Sequence, residues 1–181
     1  MSGSLTEAEQ RAYLKLARQA LEHYYRTGEY LPSPIASGTL KENRGAFVTL
    51  TLDGELRGCI GYPLPVKPLD ETIIEMAVAA ATQDTRFEPV SAGELNDLKI
   101  EISVLGLPAP AKDPAEVRVG AHGIIVSKGY HRGLLLPQVP VEHGWDRVTY
   151  LNHGCLKAGL PPDAWKKGAK IDVFTAQVFS E

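Results

Sequence analysis

The dipeptide Asp53-Gly54 stands between two short alternating runs, "GAFVTLTL" before it and "ELRGCIGY" after it. Asp and Gly both enter positive φ at little cost, so two strands separated by this pair form a hairpin with a tight turn. No other feature of the 181 residues constrains the fold as strongly. An unbroken ladder from that turn pairs Leu52 with Glu55, Leu50 with Arg57 and Val48 with Cys59. Side chains alternate along a strand, so Arg57 and Cys59 are expected on one face, roughly 7 Å apart. Leu56, Gly58 and Ile60 then take the other face with Phe47 and Thr49.

The rest of the chain supplies helices and further strands. Thr6-Glu7-Ala8-Glu9 has the form of a capping box, and Tyr13, Leu16, Ala17, Ala20, Leu21 and Tyr24 follow at helical spacing until Gly28. A helix from about Glu7 to Arg26 is expected, then a loop with Pro32 and Pro34. Leu69 to Gln83 reads as a second helix with Ile73, Ala77, Ala80 and Ala81 on one side, broken by "DTRFEPV". "LKIEISVLG" alternates as a strand, and "APAKDPAEV" is a proline-rich connection. "VRVGAHGIIVS" and "GLLLP" read as short strands around Lys128-Gly129-Tyr130. "WDRVTYLNHGCLKAGL" is a third helix with Val148, Leu151 and Cys155 on its apolar side, stopped by Gly159 and the prolines at 161 and 162. "KIDVFTAQVF" closes the chain as one strand.

Hairpins outnumber strand-helix-strand units, so the expected class is α+β: a mostly antiparallel sheet flanked by helices. One domain over residues 5–179 accounts for the pattern, with residues 1–4 disordered outside it. A smaller lobe is carried either by the segment between the first helix and "GAFVTL" or by the middle loops.

Several function classes are set aside by what the chain lacks. A formal net charge of −3 offers no basic footprint for nucleic acid. No run approaches 18 apolar residues, and "MSGSLTEAEQ" lacks a secretory pattern, so neither membrane nor export is expected. Two cysteines do not make a disulfide framework, which points to a reducing, cytoplasmic setting. No GxGxxG after a strand, P-loop, GxSxG elbow or paired-carboxylate signature is present, and no cofactor is expected. His153 and Cys155 lie two apart on a helix and point to opposite sides, so they do not chelate together. A metal would need His122, His143, His153 and Cys59 from separate segments, and none is expected.

The chemistry-bearing candidates centre on "LRGCIG". Glycine inside a strand marks a bulge or a close approach, and here Gly58 and Gly61 flank a thiol beside a guanidinium. Cys59 is either a small core residue or a nucleophile poised by Arg57, since a nearby cation favours thiolate. Asp84 and Arg86 of "DTRF" form either a local ion pair, with Phe87 plugging the core, or an anion-binding element at the site. His122, between glycines in "GAHG", is either a base for Cys59 or a loop-satisfying imidazole. Cys155 continues a helical apolar face and is expected in the core.

"LRGCIG", then "DTRFEPV" after a helix, then "EISVL", "GAHGIIV", "LLLPQV" and "CLKAGL" in that order, resemble the AMMECR family over about Leu5 to Phe179. "CLKAGLPPDAW" is similar to the microbial members called AmmeMemoRadiSam system protein A, which are associated with a Memo-like protein and a radical-SAM protein. The resemblance implies an α+β fold with a cleft between a larger and a smaller lobe near the "LRGCIG" strand, and it supplies no reaction. Two readings therefore stand open. In one, the chain is an enzyme or enzyme component, with Cys59, Arg57 and His122 catalytic and Gly58, Gly61, Arg86 and Asp84 binding a small molecule or peptide. In the other, the same cleft recognises a partner or peptide without catalysis.

Overall fold

The computed structural model describes residues 4–33 and 42–181. Residues 1–3, and Pro34 with the rest of 34–41 after the first helix, lie outside the described residues. In chain order the elements are α1 (Glu7–Thr27), β1 (Ala46–Leu52), β2 (Glu55–Tyr62), α2 (Leu69–Thr82), β3 (Lys99–Leu105), β4 (Ala109–Pro110), β5 (Gly123–Lys128), β6 (His131–Leu135), α3 (Val139–Glu142), α4 (Arg147–Lys157), β7 (Lys170–Phe174) and β8 (Ala176–Ser180). They divide into two compact units. The first takes the chain up to Leu105 together with Gln177–Glu181, and the second is Gly106–Ala176. Each has a four-stranded sheet, and the class is α+β with antiparallel pairing.

In the first unit the sheet runs in the order β2-β1-β3-β8. Helix α1 begins as its capping box dictates: Thr6 Oγ1 accepts the Glu9 N–H, while the Glu9 carboxylate accepts the Thr6 N–H at 2.7 Å. It ends at Gly28, whose φ of 77° is the left-handed cap that glycine adopts without strain. Leu16, Ala17, Ala20 and Leu21 of α1 and Ile73, Ala77 and Ala80 of α2 pack with Val48, Leu50, Ile100 and Ile102 of the sheet into one core. Among the described residues no helix is long and apolar enough to cross a membrane.

The hairpin turn forms as its residues require, with Asp53 at φ 53° and Gly54 at φ 84°. The ladder beyond it does not run unbroken. Leu52 pairs with Glu55 and Thr51 with Leu56, but Leu50 then pairs with Gly58, Thr49 with Cys59 and Val48 with Ile60. Arg57 is the extra residue of a β-bulge. The expected Val48–Cys59 pairing is therefore corrected by one position, which moves Cys59 from the core face to the face of Thr49. The physical reason lies in α2. A Cβ built on Gly58 would stand 2.0 Å from the Ala80 carbonyl oxygen, so only glycine fits opposite Leu50 beneath the helix. The bulge delivers that glycine and keeps a charged side chain out of the core.

In the second unit the sheet order is β4-β7-β5-β6, and α4 covers one face. Ile124, Val126, Ile171, Tyr150, Leu151 and Cys155 form its core. Asp146 caps α4 by accepting the Thr149 N–H at 2.7 Å, and Gly159 follows its end at φ 73°. Cys155 is fully buried as expected, whereas Val148 is 45% exposed. Two further departures concern boundaries. The proline-rich connection contains the two-residue β4, and "KIDVFTAQVF" is two strands, broken at Thr175, with β7 in the second sheet and β8 in the first.

Candidate functional site

β2 is an edge strand, so alternate N–H groups face away from β1 with no ladder partner. One of these, the Cys59 N–H, donates to Asp84 Oδ2 at 2.9 Å. Asp84 lies just past the end of α2, its side chain 5% exposed. The same carboxylate accepts the Arg86 N–H, and Arg86 Nε and Nη2 at 2.9 and 2.7 Å. The Arg86 guanidinium holds the Asp84 carboxyl well below the usual carboxylate range, against the opposing effect of burial, and the Cys59 amide adds to the effect. The "DTRF" turn is thus fastened to the "GCIG" strand by one buried carboxylate.

On the outer face of the hairpin the Thr49 hydroxyl donates to Cys59 Sγ at 3.2 Å. Cys59 is half-buried and free, not disulfide-bonded. Next along the strand, a Cβ on Gly61 would stand 2.4 Å from the Phe47 ring, so that ring lies over Gly61 on the same face as the thiol. Across β1, Thr49 pairs in turn with Glu101 of β3, which gives an outer-face row of thiol, hydroxyl and exposed carboxylate. Arg86 completes the surroundings. Its side chain is 57% exposed, its guanidinium lies 5.5 Å over the Phe87 ring, and it is within electrostatic reach of Cys59. Phe87 is half-buried under that arginine and does not belong to the core cluster.

Arg57 has other partners. Nε donates to Glu94 Oε1 at 2.8 Å and Nη2 to Oε2 at 3.2 Å, while Nη1 and Nη2 donate to the carbonyl oxygens of Glu88 and Pro89. It clamps the 88–94 segment onto the bulge, and the cation in electrostatic contact with Cys59 is Arg86. The Arg57 guanidinium pulls the Glu94 carboxyl down to about 2, with the Ser91 amide adding to it. His122 belongs to the second unit. Its Nδ1 accepts the Arg118 N–H at 3.3 Å, and its carbonyl accepts the Tyr150 hydroxyl. Burial, and then the charge of Arg118, favour its neutral form.

Within the first unit the structure joins Cys59, Gly58, Gly61, Asp84 and Arg86 and turns Arg57 toward Glu94, while His122 is a residue of the second unit. Sequence reasoning missed Thr49, Phe47 and Glu101. The alternation of "AFVTLTL" puts Phe47, Thr49 and Thr51 on one face, but the bulge that brings Cys59 to that face leaves no such trace. The Thr49 hydroxyl supplies a donor at the sulfur, and the exposed Arg86 guanidinium, held at two nitrogens by Asp84, keeps its remaining N–H groups for an anion. Among the described residues no carboxylate or imidazole hydrogen-bonds to Sγ, and no group of three or more His, Cys, Asp or Glu is arranged to hold a metal ion.

Comparison with known proteins extends this picture along the whole chain. A protein of Methanosarcina barkeri is 48% identical over 187 residues, covering 98% of this chain and 92% of the relative. One of Methanopyrus kandleri is 48% identical over 191 residues, covering all of this chain and 92% of the relative. The crystal structure of an uncharacterized protein from Pyrococcus horikoshii superposes with a TM-score of 0.79 at 44% identity, covering 93% of this chain and 89% of that one. The AMMECR1 family model matches residues 14–179, a span that includes Cys59, Asp84 and Arg86, and the chain belongs to the AMMECR1 family.

Proposed function

We propose that the outer face of the first sheet around Cys59 is a thiol-centred site of an enzyme or enzyme component. The observation that carries this reading is the half-exposed Cys59 thiol, hydrogen-bonded by Thr49 on a strand whose Cys59 N–H shares the Asp84 carboxylate with the Arg86 guanidinium. In this reading Cys59 meets the substrate. Arg86 receives a negative charge on it, and Asp84 keeps both the strand and the arginine in place. Gly58 lets α2 pack directly on the strand, and Gly61 lets the Phe47 ring lie beside the thiol on the outer face. Arg57 serves as a positioning residue through Glu94, and His122 does not enter the proposal. A cytoplasmic setting fits a chain whose two cysteines are both free thiols. The Memo-like and radical-SAM proteins associated with similar chains are the partners to test.

The test uses iodoacetamide. Cys59 should alkylate in the folded protein, while Cys155, whose thiol burial pushes up, should react only on unfolding. Arg86→Gln should slow Cys59 alkylation by about threefold or more, because a neighbouring cation favours the attacking thiolate. A Cys59 that labels only in denaturant would remove the reading.

A second reading, recognition without catalysis, is favoured by the lack of any base hydrogen-bonded to Sγ among the described residues. The two separate on Cys59→Ser. Loss of turnover with purified Memo-like and radical-SAM proteins, with binding retained, supports the enzyme. A silent substitution supports recognition.

A further inference from the structure

The second unit carries nine Lys and Arg against six Asp and Glu, the reverse of the balance in the whole chain. Part of that excess is organised. Arg132 of β6 and Lys170 of β7 both pair with Ser127 of the intervening β5, so all three side chains leave the sheet on one face at one level. β4 lies beside β7 at the edge of this sheet. Ala109 pairs with Val173 and Pro110 with Asp172, and the Ala111 N–H donates to the Ile171 carbonyl. The row across the three strands is therefore Lys170, Ser127, Arg132, and Lys112, two residues past the end of β4, lines the same groove.

These residues line an open groove of about 740 Å³, with Asp172 on the same wall and with Trp165, Pro110, Ala111 and Pro114 as its apolar part. The volume lies within the range that holds a small organic ligand. Neither the three side chains of the row nor those of Lys112 and Asp172 have a hydrogen-bond or ion-pair partner among the described residues. Nearby cations are used differently: Lys128 donates to the Lys167 carbonyl, and Lys167 pairs with Asp163. Two cations flank one serine on the same sheet face with no opposite charge bonded to either, which departs from the usual pairing of charges on a sheet. Such breaks concentrate where function requires them.

We propose that this groove binds a phosphate monoester of a small hydroxyl-bearing molecule. Strands lie about 4.8 Å apart, so Arg132 and Lys170 stand about 10 Å apart with Ser127 between them. Their long side chains close over one anion centred on the Ser127 hydroxyl. The guanidinium fork takes two phosphate oxygens, and the ammonium groups act as point charges. Asp172 accepts a hydroxyl of the same ligand and discourages a bare multivalent anion. The proposal involves no residue of the Cys59 site and stands independently of it.

Titration calorimetry at 100 mM salt tests it with ribose 5-phosphate, AMP, inorganic phosphate and ribose. Ribose 5-phosphate or AMP should bind with a Kd below about 1 mM, and inorganic phosphate and ribose at least about tenfold more weakly. Replacing Arg132 and Lys170 together by Gln should weaken the phosphate ester about 30-fold or more, as expected for two charge-assisted contacts. Both side chains are exposed, so the variant should retain its thermal midpoint. Asp172→Asn should weaken the ester and leave inorganic phosphate unchanged or tighter. No saturable heat with either ester up to 10 mM (a ceiling of about 2.7 kcal/mol in binding free energy), equal affinity for ester and inorganic phosphate, or unaltered binding by the double variant would each overturn it.

Discussion

A methyl group at Gly58 would collide with a backbone oxygen, which cannot swing aside as a side-chain end can. Gly58→Ala therefore forces α2 away from β2 or distorts the bulge, and it should cost about 3 kcal/mol, the upper end for overpacking. Gly93→Ala is the matched control, since its nearest neighbour would be Ser91 Oγ at 4.0 Å, and it should change stability by less than about 0.5 kcal/mol. Urea unfolding of the two variants measures the difference, and equal midpoints would refute the steric account. At this scale the sequence marked Gly58 and Gly61 as places of close approach. It did not say that a helix carbonyl approaches the first and an aromatic ring the second, because those neighbours come from packing and not from spacing. The same holds for Arg57. A guanidinium next to a thiol in sequence is turned to Glu94, 37 residues away, by a bulge that no turn residue announces.

Among elements, those with end signals were legible and those set by tertiary contact were not. Helix α1 begins and ends within a residue of its capping box and glycine, and the Asp53-Gly54 turn forms as expected. The break at Thr175 has neither Gly nor Pro to mark it. It arises where the Gly106 N–H donates to the Thr175 carbonyl at 2.7 Å, a contact across most of the second unit's sequence. The clamp between β2 and the 88–94 segment is also tertiary, and it makes a pH prediction. The Glu94 carboxyl sits at about 2 in the folded protein, below its ordinary value of about 4.3 when unfolded. Its ion pair with Arg57 therefore contributes fully above about pH 4.5, and that contribution fades as the pH falls toward 2. The two side chains are 17% and 25% exposed, so some solvent screening applies. Glu94→Gln should then destabilise by roughly 1–2 kcal/mol at pH 7, and by about half as much at pH 3. Chemical unfolding of both proteins at the two pH values measures this, and a difference that does not shrink with acid would show that Glu94 acts through packing alone.

At the scale of the molecule, the chain builds two separate cores and leaves the first unit only to return to it. The buried cluster around Val48, Ile100 and Ile102 shares no residue with the one around Ile124, Tyr150 and Ile171. The first core draws on both ends of its discontinuous sequence. Arg18 of α1 donates to the Leu95 and Leu98 carbonyls and pairs with Glu181, while Leu5 and Gln177 exchange hydrogen bonds. Elements that share a core open together, and elements with separate cores open at separate free energies. Ile102 is fully buried in the centre of the first core. Its replacement by Ala should cost about 3 kcal/mol, which corresponds to amide exchange through global opening about 100-fold faster in β1, β2 and β3. Amides of β5, β6 and β7 should change by less than about threefold, since their protection is set by the second core. Hydrogen exchange followed by mass spectrometry resolves the two sets of strands. If all of them accelerate together, the cores form one cooperative unit despite their separate residues. Accelerated exchange confined to the first unit's strands means that the Cys59 site and the Ser127 groove rest on scaffolds that open independently, so a variant in one leaves the other intact for testing.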